Sequence, residues 1–191
     1  MLPASFNRPR SDAGFNLIEA AIVLGIVGLI VGGIWAAASS AYENMRQQSA
    51  SKQLLSLVQN IRGFYAQGPI DVIDNNLTNL YNLGLLPSDM VIQNGTAFYL
   101  RHPWGGNVSI EDGGINGYSS FRVTFQDMKV DVCRNFLSRN ANAARGSGLL
   151  VVSNGTAEVL NLISNSSDVV NSVQCGTSNG QAPYFIFSLR G

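Results

Sequence analysis

The chain is poor in charge and in the side chains that most often carry chemistry. Only 13% of its 191 residues are charged, compared with roughly 25% in an average globular protein. Its 12 basic and 12 acidic side chains cancel at neutral pH, which excludes a basic nucleic-acid-binding protein and a highly charged disordered chain. One histidine and two cysteines are present, too few to fill a zinc or copper site. We therefore expect no nucleic-acid partner, no metal and no cofactor.

The apolar residues are concentrated near the N-terminus. Residues 20–42 form a run of 23 residues without a charged side chain, and about 20 apolar residues are enough to cross a bilayer. The polar residues 1–14 before this run include Arg8 and Arg10, as is typical of the cytoplasmic side of a membrane span. A secretory signal has a shorter apolar stretch than this run, and a cleavage site of small residues follows it. The alternative to a retained membrane span is such a signal, cleaved near Ala38.

A helical pattern continues beyond the apolar run. Apolar residues recur at helical spacing on one face, and Gly68-Pro69 ends the pattern. We predict one helix over residues 16–67 that is apolar all round in its first half and amphipathic in its second half. The predicted buried stripe of the second half consists of Leu54, Leu57, Val58, Ile61, Phe64 and Tyr65.

Glu19 stands directly before the uncharged run. A carboxylate at the end of a membrane span is costly to bury, so such a residue is a candidate for a functional role. The alternative is a flanking charge that water hydrates at the headgroup level.

The residues around Glu19 resemble a known signal. A short basic leader, the sequence Gly14-Phe15-Asn16-Leu17-Ile18-Glu19 and the apolar run that follows are similar to the class III signal of type IV pilins and pseudopilins. The resemblance implies that a prepilin peptidase cleaves between Gly14 and Phe15 and that the new amino group of Phe15 is N-methylated. It also implies that the mature chain waits in the inner membrane until an assembly platform with its ATPase draws it into a homo-oligomeric filament outside the cell.

Within that scheme Glu19 has a physical task. An unpaired carboxylate among packed apolar helices costs several kcal/mol, and the charged amine of Phe15 on a neighbouring subunit has the same problem with the opposite sign. Pairing the two groups relieves both costs and penalises a subunit that is out of register. We expect Glu19 to act in docking and register, with residues 1–14 as the leader, 15–67 as the long helix and 68–191 as a globular head.

The head is predicted to combine short strands with helices. Alternating runs separated by PWGG and DGG turns indicate antiparallel hairpins, a short helix or packed loop precedes Pro87, and residues 133–144 are compatible with a helix. The fold class expected is therefore α+β, with the long helix packed on an antiparallel sheet. The predicted strands are residues 97–101, 107–111, 119–126, 149–153, 158–163 and 184–189.

Cys133 and Cys175 are the two cysteines of the chain. In an exported head an even number of cysteines favours a disulfide, and two buried thiols are the alternative. Closing a loop of this size would stabilise the fold by roughly 3 to 4 kcal/mol in the chain-entropy model. A C-terminal region bounded by a disulfide is similar to that of type IV pilins. The span without proline favours the type IVb class, whereas Phe15 and a short leader are more usual in type IVa.

The resemblance implies a structural, non-enzymatic subunit of a pilus that serves adhesion, aggregation, motility or conjugative contact. A pseudopilin of a type II secretion system and a monomeric membrane-anchored binding domain are the alternatives. Residues 176–180 formally match G-x-S-x-G, but a hydrolase needs a strand before the motif, a helix after it and a histidine base in reach. The residues after Gly180 have the pattern of a strand, and the single histidine, His102, is expected in a turn.

Overall fold

A computed structural model describes residues 16–66, 73–163, 175 and 182–190. The proposed cleavage site at Gly14 and Phe15 and the G-x-S-x-G match at residues 176–180 lie outside the described residues. The helices are α1 (Leu17–Tyr65), α2 (Leu77–Asn82) and α3 (Val130–Ala143), followed by a short 3-10 helix (Ala144–Ser147). The strands are β1 (Val91–Asn94), β2 (Ala97–Arg101), β3 (Asn107–Asp112), β4 (Ser120–Phe125), β5 (Leu149–Ser153), β6 (Glu158–Asn161) and β7 (Tyr184–Ser188).

The long N-terminal helix is confirmed, with its ends within two residues of the predicted ones. Helix α1 contributes to two compact units, and the boundary between these units falls between Glu43 and Asn44. The second unit therefore includes the last part of α1 together with the sheet and the remaining helices. Helix α1 ends at Tyr65, two residues before the predicted helix end, and its residues from Asn44 onward belong to the second unit.

In the second unit the buried face of α1 matches the predicted stripe at five of its six positions. Leu54, Leu57, Val58 and Ile61 are fully buried and Tyr65 is nearly so. Phe64 is the exception, because 42% of it is exposed and its ring packs edge-on against Tyr65. Helical periodicity gives the direction in which a side chain points, but it does not show how far the covering layer extends near the end of the helix.

The strands form one sheet of seven in the order β1-β2-β3-β4-β7-β5-β6. Every neighbouring pair is antiparallel. The last strand, β7, inserts between β4 and β5, where Phe187 lies opposite both Phe121 of β4 and Leu149 of β5. This insertion places the C-terminal strand near the middle of the sheet.

All six predicted strands are confirmed, and β1 was missed. This edge strand has only four residues and pairs with β2 through a two-residue turn between Asn94 and Ala97. Gly95 has a φ of 62°, which suits glycine at the first central position of a hairpin turn. The Asn94-Gly95 dipeptide was the available signal, but the short apolar pair before it was too weak to indicate a strand.

Helix α3 packs its apolar face on the core. Its buried residues recur at spacings of three and one along the helix, as expected for an amphipathic helix: Cys133, Phe136, Leu137, Asn140 and Ala141. The core of the second unit thus lies between the sheet and the helices α1 and α3. The predicted α+β class, with a long helix packed on an antiparallel sheet, is confirmed.

Candidate functional site

The first part of α1 presents an unusual surface. Every residue from 21 to 42 is exposed, and the helix is long and apolar enough to cross a membrane by length and composition. Leu17, Leu29 and Trp35 are 86%, 80% and 74% exposed, respectively. The large apolar side chains exposed between residues 17 and 35 are Leu17, Ile18, Ile22, Val23, Leu24, Ile26, Val27, Leu29, Ile30, Val31, Ile34 and Trp35.

The N-terminal end of this helix is capped by Asn16. The backbone N–H of Ile18 donates to Asn16 Oδ1 at 3.2 Å, and the N–H of Ala20 donates to the Asn16 carbonyl at 3.1 Å. These contacts satisfy donors that the first helical turn would otherwise leave unpaired. Capping fixes where the helix begins, and it places Glu19 in the first turn.

Glu19 is exposed in that first turn. A carboxylate at this position is favoured by the positive end of the helix dipole. Residues 16–43 contain no lysine or arginine, so no basic side chain of this segment can neutralise Glu19. A cation that pairs with Glu19 in an apolar environment must come from elsewhere.

Glycines leave room along the same helix surface. Apart from the adjoining backbone of α1, a Cβ atom placed on Gly25, Gly28, Gly32 or Gly33 would meet no atom of the described residues within 4 Å. The spacing of Gly28 and Gly32 permits close approach of a second helix backbone. The apolar surface therefore combines large side chains with places where another helix can come close.

The two cysteines meet in the head. Cys133 of α3 and Cys175 form a disulfide with a Cα–Cα distance of 6.1 Å. Both residues are buried. The bond ties α3 to a point that precedes β7 in the sequence, as expected from the sequence.

The side chain of His102 is more deeply buried than the sequence indicated. It was expected in a turn, and it does begin the turn that Gly106 closes, but its side chain is buried at 3% exposure. Its Nε2 lies 2.7 Å from the Gln126 carbonyl oxygen and donates to it, whereas Nδ1 accepts from the backbone N–H of Trp104 at 3.3 Å. Burial lowers the pKa of His102, although the Gln126 carbonyl and Asp127 act in the opposite direction. The sequence carried no pattern around His102 that could have predicted this burial.

No candidate metal centre is assembled among the described residues. Within residues 16–66, 73–163, 175 and 182–190, no group of three or more His, Cys, Asp or Glu side chains is placed to hold a metal ion. The feature that this chain presents most clearly is therefore the exposed apolar segment of α1, with Glu19 at its start.

Comparisons with known proteins agree on a family. The family model described as Bundlin matches residues 39–182, which are 144 of the 191 residues. The major structural subunit of bundle-forming pilus from Escherichia coli O111:H- is 23% identical over 145 residues, covering 75% of this chain and 74% of that protein. The corresponding subunit from Escherichia coli O127:H6 (strain E2348/69 / EPEC) is 23% identical over 141 residues, covering 73% and 72%.

A solved structure shows the same fold. The crystal structure of a type IVb pilin from Salmonella typhi superposes with a TM-score of 0.53 at 16% sequence identity, covering 75% of this chain and all but 1% of that one. This likeness concerns the fold, while the family match rests on three quarters of the sequence. The chain belongs to the bundlin family of type IVb pilin-like proteins.

Proposed function

We propose that this protein is the structural subunit of a type IV pilus and that the first part of α1 packs among copies of itself in the filament. The observation that carries the proposal is the exposed apolar surface between residues 17 and 42, in a chain whose head belongs to the bundlin family. The family match begins at residue 39. It is therefore independent of the signal-like residues 14–19.

The apolar surface needs an apolar environment. Removing a large apolar side chain from water gains roughly 1.5 to 3 kcal/mol, so the twelve that are exposed between residues 17 and 35 represent on the order of 20 kcal/mol. A helix that is apolar all round must be surrounded by lipid or by other helices. The inner membrane supplies this apolar environment before assembly, and the filament interior supplies it afterwards.

In this proposal Glu19 sets the axial register between neighbouring subunits of the filament. After a prepilin peptidase cleaves between Gly14 and Phe15, the amine of Phe15, N-methylated but still charged, is the cation that residues 16–43 lack. Pairing of Glu19 with the amine of a neighbouring subunit neutralises both groups in the apolar filament core. The role is structural and non-enzymatic, and its further partners are the inner-membrane platform and its ATPase. The finished filament is extracellular.

Two substitutions of Glu19 test this role. Glu19→Ala and Glu19→Gln are expected to be processed and inserted normally but to yield few or no filaments, because the amine of Phe15 is left unpaired. Glu111→Ala removes an exposed carboxylate of the head and serves as the matched control. The readouts are mass spectrometry of the membrane-bound protein and electron microscopy of sheared filaments. Wild-type filament yield from Glu19→Ala would overturn the proposed role of Glu19.

Cleavage and location need a separate measurement. Mass spectrometry of protein from its native membrane is expected to find an N-terminus at methylated Phe15. An intact leader, or cleavage near Ala38, would contradict the proposal. Short periplasmic fibres in an overproducing strain would indicate a pseudopilin instead, and a full-length protein that stays monomeric and binds a small ligand would indicate a binding domain.

A further inference from the structure

Three Asn-Gly pairs lie in the described part of the chain: Asn94-Gly95, Asn116-Gly117 and Asn154-Gly155. An asparagine followed by glycine can modify itself, because the small glycine lets its backbone nitrogen reach the side-chain carbonyl of the asparagine. The reaction requires a free N–H on the glycine and freedom of the asparagine to rotate. All three glycines have positive φ angles of 62°, 81° and 92°, so their backbone conformation does not distinguish the pairs.

Hydrogen bonds protect Asn154-Gly155. The N–H of Gly155, which would have to attack, donates to Ser153 Oγ at 3.1 Å. The side-chain oxygen of Asn154 accepts from the N–H groups of Thr156 and Ala157 at 2.9 and 2.8 Å. Both reacting groups are therefore held, and these three hydrogen bonds must open before the Gly155 nitrogen can reach the side-chain carbonyl of Asn154.

The sheet protects Asn94-Gly95. Asn94 is the last residue of β1 and pairs with Ala97 across the hairpin. Bringing its side-chain carbonyl to the nitrogen of Gly95 requires rotation of the Asn94 backbone. That rotation would break the pair that closes the hairpin.

Asn116-Gly117 has neither form of protection. Both residues are exposed, and they form the centre of a turn closed by one hydrogen bond, from Tyr118 N–H to the Ile115 carbonyl at 3.2 Å. Among the described residues, the side chain of Asn116 and the N–H of Gly117 have no hydrogen-bond partner. The glycine has open space around it, since a Cβ atom there would meet nothing within 4 Å.

We propose that Asn116-Gly117 is a self-modification site of this protein. The Gly117 nitrogen, after losing its proton to water, bonds to Asn116 Cγ while the Cγ–Nδ2 bond breaks, and the amide nitrogen leaves as ammonia. Water then opens the five-membered imide at either carbonyl. The products are aspartate, or an isoaspartyl linkage in which the main chain runs through the former side chain.

The modification adds a negative charge to the loop between β3 and β4. Asn116 lies in the loop between β3 and β4, just after the exposed carboxylates Glu111 and Asp112. In a chain that is otherwise electrically balanced, one added carboxylate is a sizeable relative change. The inference concerns the head alone and holds whether or not the chain forms a pilus.

The test compares the three pairs within one molecule. Full-length protein in detergent is incubated in mildly alkaline buffer, and peptide mapping by mass spectrometry follows the replacement of the amide by a carboxyl at each asparagine. Asn116 is expected to convert at least roughly tenfold faster than Asn154, because three hydrogen bonds, each worth about 0.5 to 1.5 kcal/mol net, hold the reacting groups of Asn154-Gly155. Equal rates, or faster conversion of Asn154 or Asn94, would overturn the proposal.

Two controls separate the effect of the fold from that of the local sequence. In denaturant all three pairs are expected to convert at similar rates, and a persistent advantage for Asn116 there would show that the fold is not responsible. Ser153→Ala removes the acceptor of the Gly155 N–H and is expected to speed conversion at Asn154 while leaving Asn116 unchanged. An unchanged Asn154 rate in folded Ser153→Ala protein would refute the protective role of that bond.

Discussion

Replacing Phe136 by alanine is expected to lower the free energy of unfolding of the head by about 4 kcal/mol. Phe136 is fully buried in α3, and its ring lies edge-on to Phe125, Phe185 and Trp104 at centroid distances of 4.8, 5.7 and 5.8 Å. Alanine would lose the apolar contacts and leave a cavity between α3 and the sheet. Phe136→Leu keeps much of the volume but loses the ring contacts, so its cost should be about 1 to 2 kcal/mol.

Guanidinium unfolding of the full-length protein in detergent, followed by near-UV circular dichroism, measures these differences. Phe64→Ala is the matched control, because this phenylalanine is 42% exposed and its loss should cost about 1 kcal/mol or less. The ranking of the three variants is the decisive result. If Phe64→Ala cost as much as Phe136→Ala, the assignment of the core between α3 and the sheet would be wrong.

Three further predictions concern the head. Burial lowers the pKa of His102 below its ordinary value of 6.5, so the unfolded chain takes up the proton at a higher pH than the folded protein does. The free energy of unfolding should therefore fall as the pH drops below 6.5. Denaturation curves of His102→Gln should lack this loss of stability at low pH. Asp127 is a non-glycine residue with a φ of 58°, so Asp127→Gly should raise the thermal midpoint through a gain of up to about 1 kcal/mol; a lower midpoint would contradict this. The double variant Cys133→Ala, Cys175→Ala opens a loop with a sequence separation of 42 residues and should lose roughly 4 kcal/mol in guanidinium unfolding; unchanged stability would refute a structural role for the bond.

Local patterns predicted most of the secondary structure. The stripe from Leu54 to Tyr65 followed the helical period, and strands such as β2 and β5 were found at their observed bounds because alternation and turn residues define them locally. Phe64 shows where the pattern stops being informative, because exposure depends on what lies beyond the helix. The order of strands was not predictable in the same way, since the insertion of β7 between β4 and β5 joins segments far apart in the sequence.

The candidate site was predictable only in part. The uncharged run and Glu19 could be read directly from the sequence, and the structure places both on an exposed helical surface. The burial of His102 could not be predicted, because it depends on the carbonyl of Gln126, which is 24 residues away. The partner of Glu19 is proposed to be the amine of another subunit, so the contact depends on assembly and is not encoded in the fold of one chain.

Cryo-electron microscopy of filaments purified from the native host tests the central claim most directly. The map is expected to show α1 of each subunit in the filament interior, with residues 17–42 surrounded by the same helix of other copies and the Glu19 carboxylate within ion-pair distance of a neighbouring Phe15 amine. Filaments whose subunits lack this helix, or whose helices face solvent with Glu19 far from any amine, would contradict the account.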